Sequence, residues 1–122
     1  MTIALAELKI IAFVHTLQSC QLFTGVPVAD LEAVAAITVA KSLDKDEYLF
    51  HEGDPARGFY VVQRGAVNIH RVNAGGKEQV IHVFRAGESF AEGALATERG
   101  YPADARATEP TQVLLVKKEG IL

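Results

Sequence analysis

The chain has 122 residues, the size of one domain, and can bury roughly two thirds of the surface its unfolded form exposes. Its 49% hydrophobic and 22% charged content excludes a disordered chain, and twelve Lys+Arg against fifteen Asp+Glu, a net charge of -3, argue against a nucleic-acid-binding face on this chain. The lone cysteine, Cys20, excludes an internal disulfide and a four-cysteine zinc or iron–sulfur site, and points to a reducing cytoplasm.

In chain order, Met1 to Leu17 is apolar enough to suggest a signal or membrane segment. Glu7 and Lys9 interrupt the run, no basic region precedes it and no small-residue cleavage site follows, so neither a signal peptide nor a membrane span is expected. Two stripes fall at helical spacing, Leu8, Ile11 and His15 or Ile10, Phe13, Val14 and Leu17, which predicts an amphipathic helix packed on the domain or on a partner. A second helix is predicted over about Pro27 to Val39, with Asp30 and Glu32 near its positive end and Leu31, Val34 and Ala35 forming its apolar stripe.

From Ser42 onward, short β-branched and aromatic runs alternate with glycine-containing turns. The best strands are Tyr48 to His51, Gly58 to Gln63, Ala66 to Val72, Gln79 to Phe84 and Thr111 to Val116, with a hairpin loop at Asn73-Ala74-Gly75-Gly76. Helices followed by short antiparallel strands give an α+β, mainly β, class with a jelly-roll β-roll as its body. The tail, Lys117 to Leu122, starts a polar, helix-like segment too short to be stable alone, so the chain is expected to be a piece of a longer protein.

Several chemical signatures begin and fail. Gly87-Glu88-Ser89-Phe90-Ala91 starts as a nucleophile elbow but lacks the last glycine, and the chain is too short for the sheet that presents such a serine; Ser89 is expected in a turn. Gly75-Gly76-Lys77 lacks the spacing and the Ser/Thr of a P-loop, and His51-Glu52 lacks the second histidine of a helical zinc protease. His70 and His82 flank one hairpin and could be cross-strand neighbours; with a carboxylate they would form a facial triad of the cupin type. Cupin enzymes carry two histidines at alternate positions of one strand, a pattern absent here, so partly buried or solvated strand histidines are the preferred reading. His15 is a candidate haem ligand beside the simpler reading of a packed helix-face histidine, and Cys20 is expected to be a small buried residue.

The informative stretch is Leu49 to Gly65, read as strand, tight turn at Gly53-Asp54-Pro55, buried strand Phe59-Tyr60-Val61-Val62 and a second turn at Gly65. It resembles the first signature of the cyclic-nucleotide-binding domain family, with Gly53, Asp54, Ala56, Phe59 to Val62 and Gly65 at the family spacing and Phe50 a mild departure. Gly87 to Leu95 resembles the family's phosphate-binding cassette, a short helix between strands. The resemblance runs from about Leu22 to Val116.

In cyclic-nucleotide binders of this family a Phe-Gly-Glu segment supplies a backbone contact and a glutamate for the ribose 2′-hydroxyl, and a Pro-Arg segment supplies the guanidinium for the cyclic phosphate. Here Glu92 and Pro102 match, whereas Ala91 stands at the glycine and Ala103, followed by Asp104, stands at the phosphate arginine. Loss of a bidentate guanidinium, with a carboxylate next to it, argues against nucleotide binding through this pocket. Arg99 and Arg106 do not match the arginine's spacing.

Phe90-Ala91-Glu92 with Tyr101-Pro102 is similar to sensor domains of the Crp/Fnr (catabolite activator/fumarate-nitrate regulator) transcription factors, above all the branch regulating nitrate respiration and denitrification. The resemblance implies an effector-sensing, non-enzymatic, cytoplasmic module over residues 21–116, preceded by a helix over 1–20 and followed by the start of a C-terminal helix over 117–122. It implies a small-molecule effector bound by Ala91, Glu92, Gly93, Ala94, Pro102, Ala103 and Asp104, with cyclic AMP, another nucleotide or haem as the ligand. It also implies DNA contact only through a C-terminal domain missing from this chain, no membrane, and a homodimeric full-length protein. A haem-based nitric oxide or CO sensor using His15, a regulatory module of a kinase or channel, and a cupin-like metalloenzyme using His70 and His82 are the alternatives.

Overall fold

The computed structural model describes residues 2–120. Helix α1 (Leu5–Ser19) and a single 3-10 turn (Gln21–Phe23) lead into α2 (Val28–Ala36). Eight strands follow: β1 (Thr38–Leu43), β2 (Tyr48–Phe50), β3 (Gly58–Arg64), β4 (Ala66–Val72), β5 (Glu78–Arg85), β6 (Ser89–Phe90), β7 (Asp104–Ala107) and β8 (Thr111–Lys117). They form two antiparallel four-stranded sheets, ordered β1-β8-β3-β6 and β2-β7-β4-β5, packed face to face as a jelly roll.

Alternation along β3 and β8 divides the molecule into two cores. Tyr60, Val62, Val113 and Leu115 face the second sheet and meet Phe50, Val67, Phe90 and Ala105. Phe59, Val61, Leu114 and Val116 face the other way, onto Phe13, Val14 and Leu17 of α1 and Leu31 and Ala35 of α2. Of the two α1 stripes, the one through Phe13, Val14 and Leu17 is therefore inward, while Leu8 and Ile11 are exposed. Gln63 Nε2 donates to Thr16 Oγ1 at 3.0 Å and ties the helix to the sheet. Cys20 is buried in this second core. No described helix is long and apolar enough to cross a membrane.

The second helix stops three residues before the predicted end. Ile37, Thr38 and Val39 are β-branched, and the last two already belong to β1, which pairs with β8 from Thr38↔Val116 to Leu43↔Thr111. The Thr38 hydroxyl closes the helix by donating to the Val34 carbonyl at 2.7 Å. Strand β7, Asp-Ala-Arg-Ala, was not expected either; its alanines are buried, filling a tight site between β2 and β4. Ser89, expected in a turn, lies in the two-residue β6, paired as Val61↔Ser89.

The predicted hairpin joins β4 and β5, where Asn73 Oδ1 accepts from the Gly75 and Lys77 amides and Gly76 takes φ +80. At the tail, Lys118–Gly120 form one 3-10 turn, and residues 121 and 122 of the expected C-terminal helix lie outside the described residues.

Candidate functional site

The segment linking the two sheets builds the site. After Phe90 at the end of β6, the backbone turns left-handed at Ala91 (φ 71, ψ 14), runs through a 3-10 turn (Glu92–Ala96), and returns by Gly100 to Pro102 into β7. The return is fastened twice to the turn after β2, by Gly53 N donating to Tyr101 O at 2.8 Å and Tyr101 N donating to Asp54 O at 3.0 Å. The Tyr101 ring stacks on Phe50 with centroids 3.8 Å apart, and its hydroxyl accepts from Arg57 N and donates to Gly58 O, both at 3.1 Å. Phe50, Tyr60, Phe90 and Phe84 continue this aromatic series toward β5. Burial, reinforced by the neighbouring Tyr101, pushes the Tyr60 phenol far above its usual range, so it stays neutral and serves packing.

Two cavities flank the linking segment. One is apolar, about 140 Å³, bounded by Ile69, Ile81, His82, Phe84, Ala91 and Ala103. The other is an open cleft of about 800 Å³, whose lining includes the charged residues Glu52, Arg71 and Arg99 together with Thr97, Gly93 and Tyr101. Pro102 borders both. A molecule spanning Pro102 would place a flat apolar part against the aromatic series and a polar part between the arginines.

The cyclic nucleotide-binding domain family matches residues 40–122. The chain belongs to this family. It is 28% identical over 101 residues to the cyclic AMP receptor protein of Thermus thermophilus, a match covering 83% of this chain and 47% of that protein. It is 31% identical over 87 residues to the transcriptional activator protein anr of Pseudomonas aeruginosa, covering 70% of this chain and 35% of that one. The crystal structure of the sensor domain of the transcriptional regulator DNR from Pseudomonas aeruginosa superposes with a TM-score of 0.81 at 31% identity, over 90% of this chain and 75% of that chain. The chain thus spans less than half the length of either curated relative, and its relatives include regulators of the Crp/Fnr type.

Within this cyclic nucleotide-binding domain, the residues singled out from the sequence divide by the cavity they border. Ala91 and Ala103 line the apolar pocket, Gly93 and Ala94 line the cleft, and Pro102 lines both. Ala91 occupies the left-handed backbone that explains why glycine suits this position. Glu92 opens the 3-10 turn and is half-buried, bordering neither cavity.

Asp104 behaves unlike the expectation that its charge would repel an anion in the pocket. Strand alternation places Ala103 and Ala105 inward, so the Asp104 carboxylate points to the opposite face of the sheet. There Oδ1 accepts from Glu52 N at 2.6 Å and lies 3.8 Å from His51 Nδ1, and Oδ2 lies 3.7 Å from His70 Nε2.

The two strand histidines also part. A β-bulge between Ile69 and His70 pairs Ile69 with His82 and His70 with Val80, so the rings lie on opposite faces and do not share a ligand site. His82 borders the apolar pocket. His70 is fully buried on the outer face, its Nδ1 2.9 Å from Asn68 Oδ1 and its Nε2 3.4 Å from Glu78 Oε1. Tyr48 covers it edge-on at 5.9 Å, and Arg106 closes the cluster with two bonds to Glu78 at 2.8 and 3.0 Å. Arg106, whose spacing does not match the family's phosphate arginine, is bonded to Glu78 on the outer face. His15 is exposed on α1, on the helix face opposite the one that packs on the sheet.

Arg71 is the site residue that sequence reasoning missed. It follows Val67 and Ile69 on the inward row of β4, and a charged side chain continuing an apolar row at period two was the available signal.

Proposed function

We propose that this chain is the effector-binding sensor domain of a Crp/Fnr-type transcription regulator, with the effector seated across Pro102 between the linking segment and the β4–β5 hairpin. The observation that carries this reading is the junction at Pro102 of an apolar pocket with a cleft containing two arginines. Small-molecule sites combine an apolar lining with a few convergent polar groups, and this pair of cavities has both. Family membership and relatives that include a cyclic AMP receptor protein support a nucleotide as the effector. In the whole regulator, DNA contacts and the homodimer interface would be completed by residues outside this chain. The effector would act by binding two arrangements of the regulator unequally.

Titration with cyclic AMP by calorimetry tests the reading. Saturable one-to-one binding is expected, weakened at least tenfold in Ile81→Trp, whose indole would occupy the apolar pocket from its exposed rim. Ligand at about 100 times its Kd should also raise stability by roughly 2.7 kcal/mol. No heat and no thermal shift with cyclic AMP at high micromolar concentration would remove the nucleotide from the proposal.

A further inference from the structure

Ala103 stands at the position of the family's phosphate arginine, yet the cleft is lined by two guanidinium groups, those of Arg71 and Arg99, that pair with no carboxylate among the described residues. Arg71 continues the Val67–Ile69 row of β4 to the point where the strand emerges into solvent beside the cleft. Its Nε donates to the Pro102 carbonyl at 2.8 Å, which fixes the plane of the guanidinium at the wall shared by both cavities. That bond uses one of five donors. Among the described residues, no carboxylate lies within ion-pair distance of Arg71 or Arg99, whereas Arg106 is held bidentately by Glu78.

The charge balance of the cleft favours an anion. Two arginines and one glutamate, Glu52, line it, and the nearby Asp104 carboxylate is turned to the other face of the sheet. The apolar pocket, at about 140 Å³, has room for a ring and not for a whole ligand. The 800 Å³ cleft is within the size range of small-molecule sites. An arginine already anchored through one edge presents its remaining donors with little further loss of freedom, in the fork geometry that matches phosphoryl or carboxylate oxygens.

We propose that Arg71, assisted by Arg99, is the anion anchor of this domain, receiving the phosphoryl group of a ligand whose planar apolar part lies in the adjoining pocket. This inference rests on the effector site proposed above and adds the residue and the charge that select the ligand. It moves the anchor from the linking segment to strand β4, next to the hairpin that forms one wall of the site.

Calorimetric titration of the whole chain with cyclic AMP and with uncharged adenosine separates the two claims. The wild-type chain should bind cyclic AMP at least tenfold more tightly than adenosine, since a charge-assisted bond contributes on the order of a tenfold or greater preference. Arg71→Gln should bring cyclic AMP to within about threefold of adenosine; Arg71→Lys should recover part of the preference, and Arg99→Gln should lose less of it. Arg71 is exposed, so an unchanged unfolding midpoint confirms that the variants fold. If Arg71→Gln keeps the wild-type preference, or if the wild-type chain binds both compounds equally, the anchor is wrong and the effector site stands. If the wild-type chain binds neither, the anchor falls together with the nucleotide reading it rests on.

Discussion

The two sheets are built from similar numbers of residues but bury themselves differently. The sheet β1-β8-β3-β6 is covered on both faces, by the other sheet on one side and by α1 and α2 on the other. Its central strands are accordingly continuous apolar runs, Phe59 to Val62 and Val113 to Val116. The sheet β2-β7-β4-β5 has no helix over its outer face. There Tyr48, Asn68, His70, Glu78, Asp104 and Arg106 form a polar cluster, in which the buried His70 Nε2 has carboxylates at 3.4 and 3.7 Å but no hydrogen bond, and Val72 and Val80 remain exposed. The comparison teaches where the molecule can be specific. The helix-covered sheet is a platform packed on both faces, and the other sheet contributes Ile69, Arg71, Ile81, His82 and Phe84 to the cavities.

The largest effect that would break this contrast lies under the helices. Leu114 is fully buried between β8 and the helical layer. Leu114→Ala should lower unfolding free energy by about 2–5 kcal/mol, through lost transfer energy and the cavity left behind. Val80→Ala, at an exposed site of the other sheet, should change it by less than about 0.5 kcal/mol. Urea unfolding of the two variants checks this. Similar losses in both would mean that the uncovered sheet is as tightly packed as the platform.

A smaller effect lies in the segment that crosses between the sheets. Ala91 holds φ 71, a left-handed conformation that costs an L-residue about 1–2 kcal/mol and glycine much less. Ala91→Gly should therefore be stabilising by up to about 1 kcal/mol, after the added freedom of glycine in the unfolded chain is subtracted. A fall in the urea midpoint would show that contacts of the Ala91 methyl group with the apolar pocket outweigh the relief of backbone strain.

This division was only partly legible in the sequence. The platform announced itself, because a strand buried on both faces must be apolar at every position and the turns at Gly53 and Gly65 need positive φ, which glycine supplies at 88 and 91. The boundary of α2 did not, since its apolar stripe runs on into Ile37 and Val39, which belong to the stretch entering a strand. β7 was hidden by its alanines, poor strand formers whose small size is what its crowded position requires. The linking segment was legible through its resemblance to the family. The sides to which Asp104 and Arg71 point were not, because one residue of register in β4 and β7 decides them, and the bulge beside His70 is set by pairing with β5 rather than by local composition.

The smallest effect belongs to the outer polar face and appears as a pH dependence. The Arg106 guanidinium, bonded to Glu78 at 2.8 and 3.0 Å, and next the His70 imidazole hold the Glu78 carboxyl below its ordinary 4.5. The folded chain therefore keeps this carboxylate ionised to lower pH than the unfolded chain does. Its contribution is complete above about pH 4.5 and is lost as pH falls through the lowered folded value. Glu78→Gln removes the charge, so the variant should be less stable than the wild-type chain at pH 7, and the difference should shrink on acidification below pH 4. The pair is solvent-accessible and screened, which keeps the effect below those at Leu114 and Ala91. Urea midpoints of both proteins at pH 7 and pH 3.5 measure it. A difference that stays constant across that range would mean that Glu78 holds the outer face through its shape and hydrogen bonds, and that its charge contributes nothing.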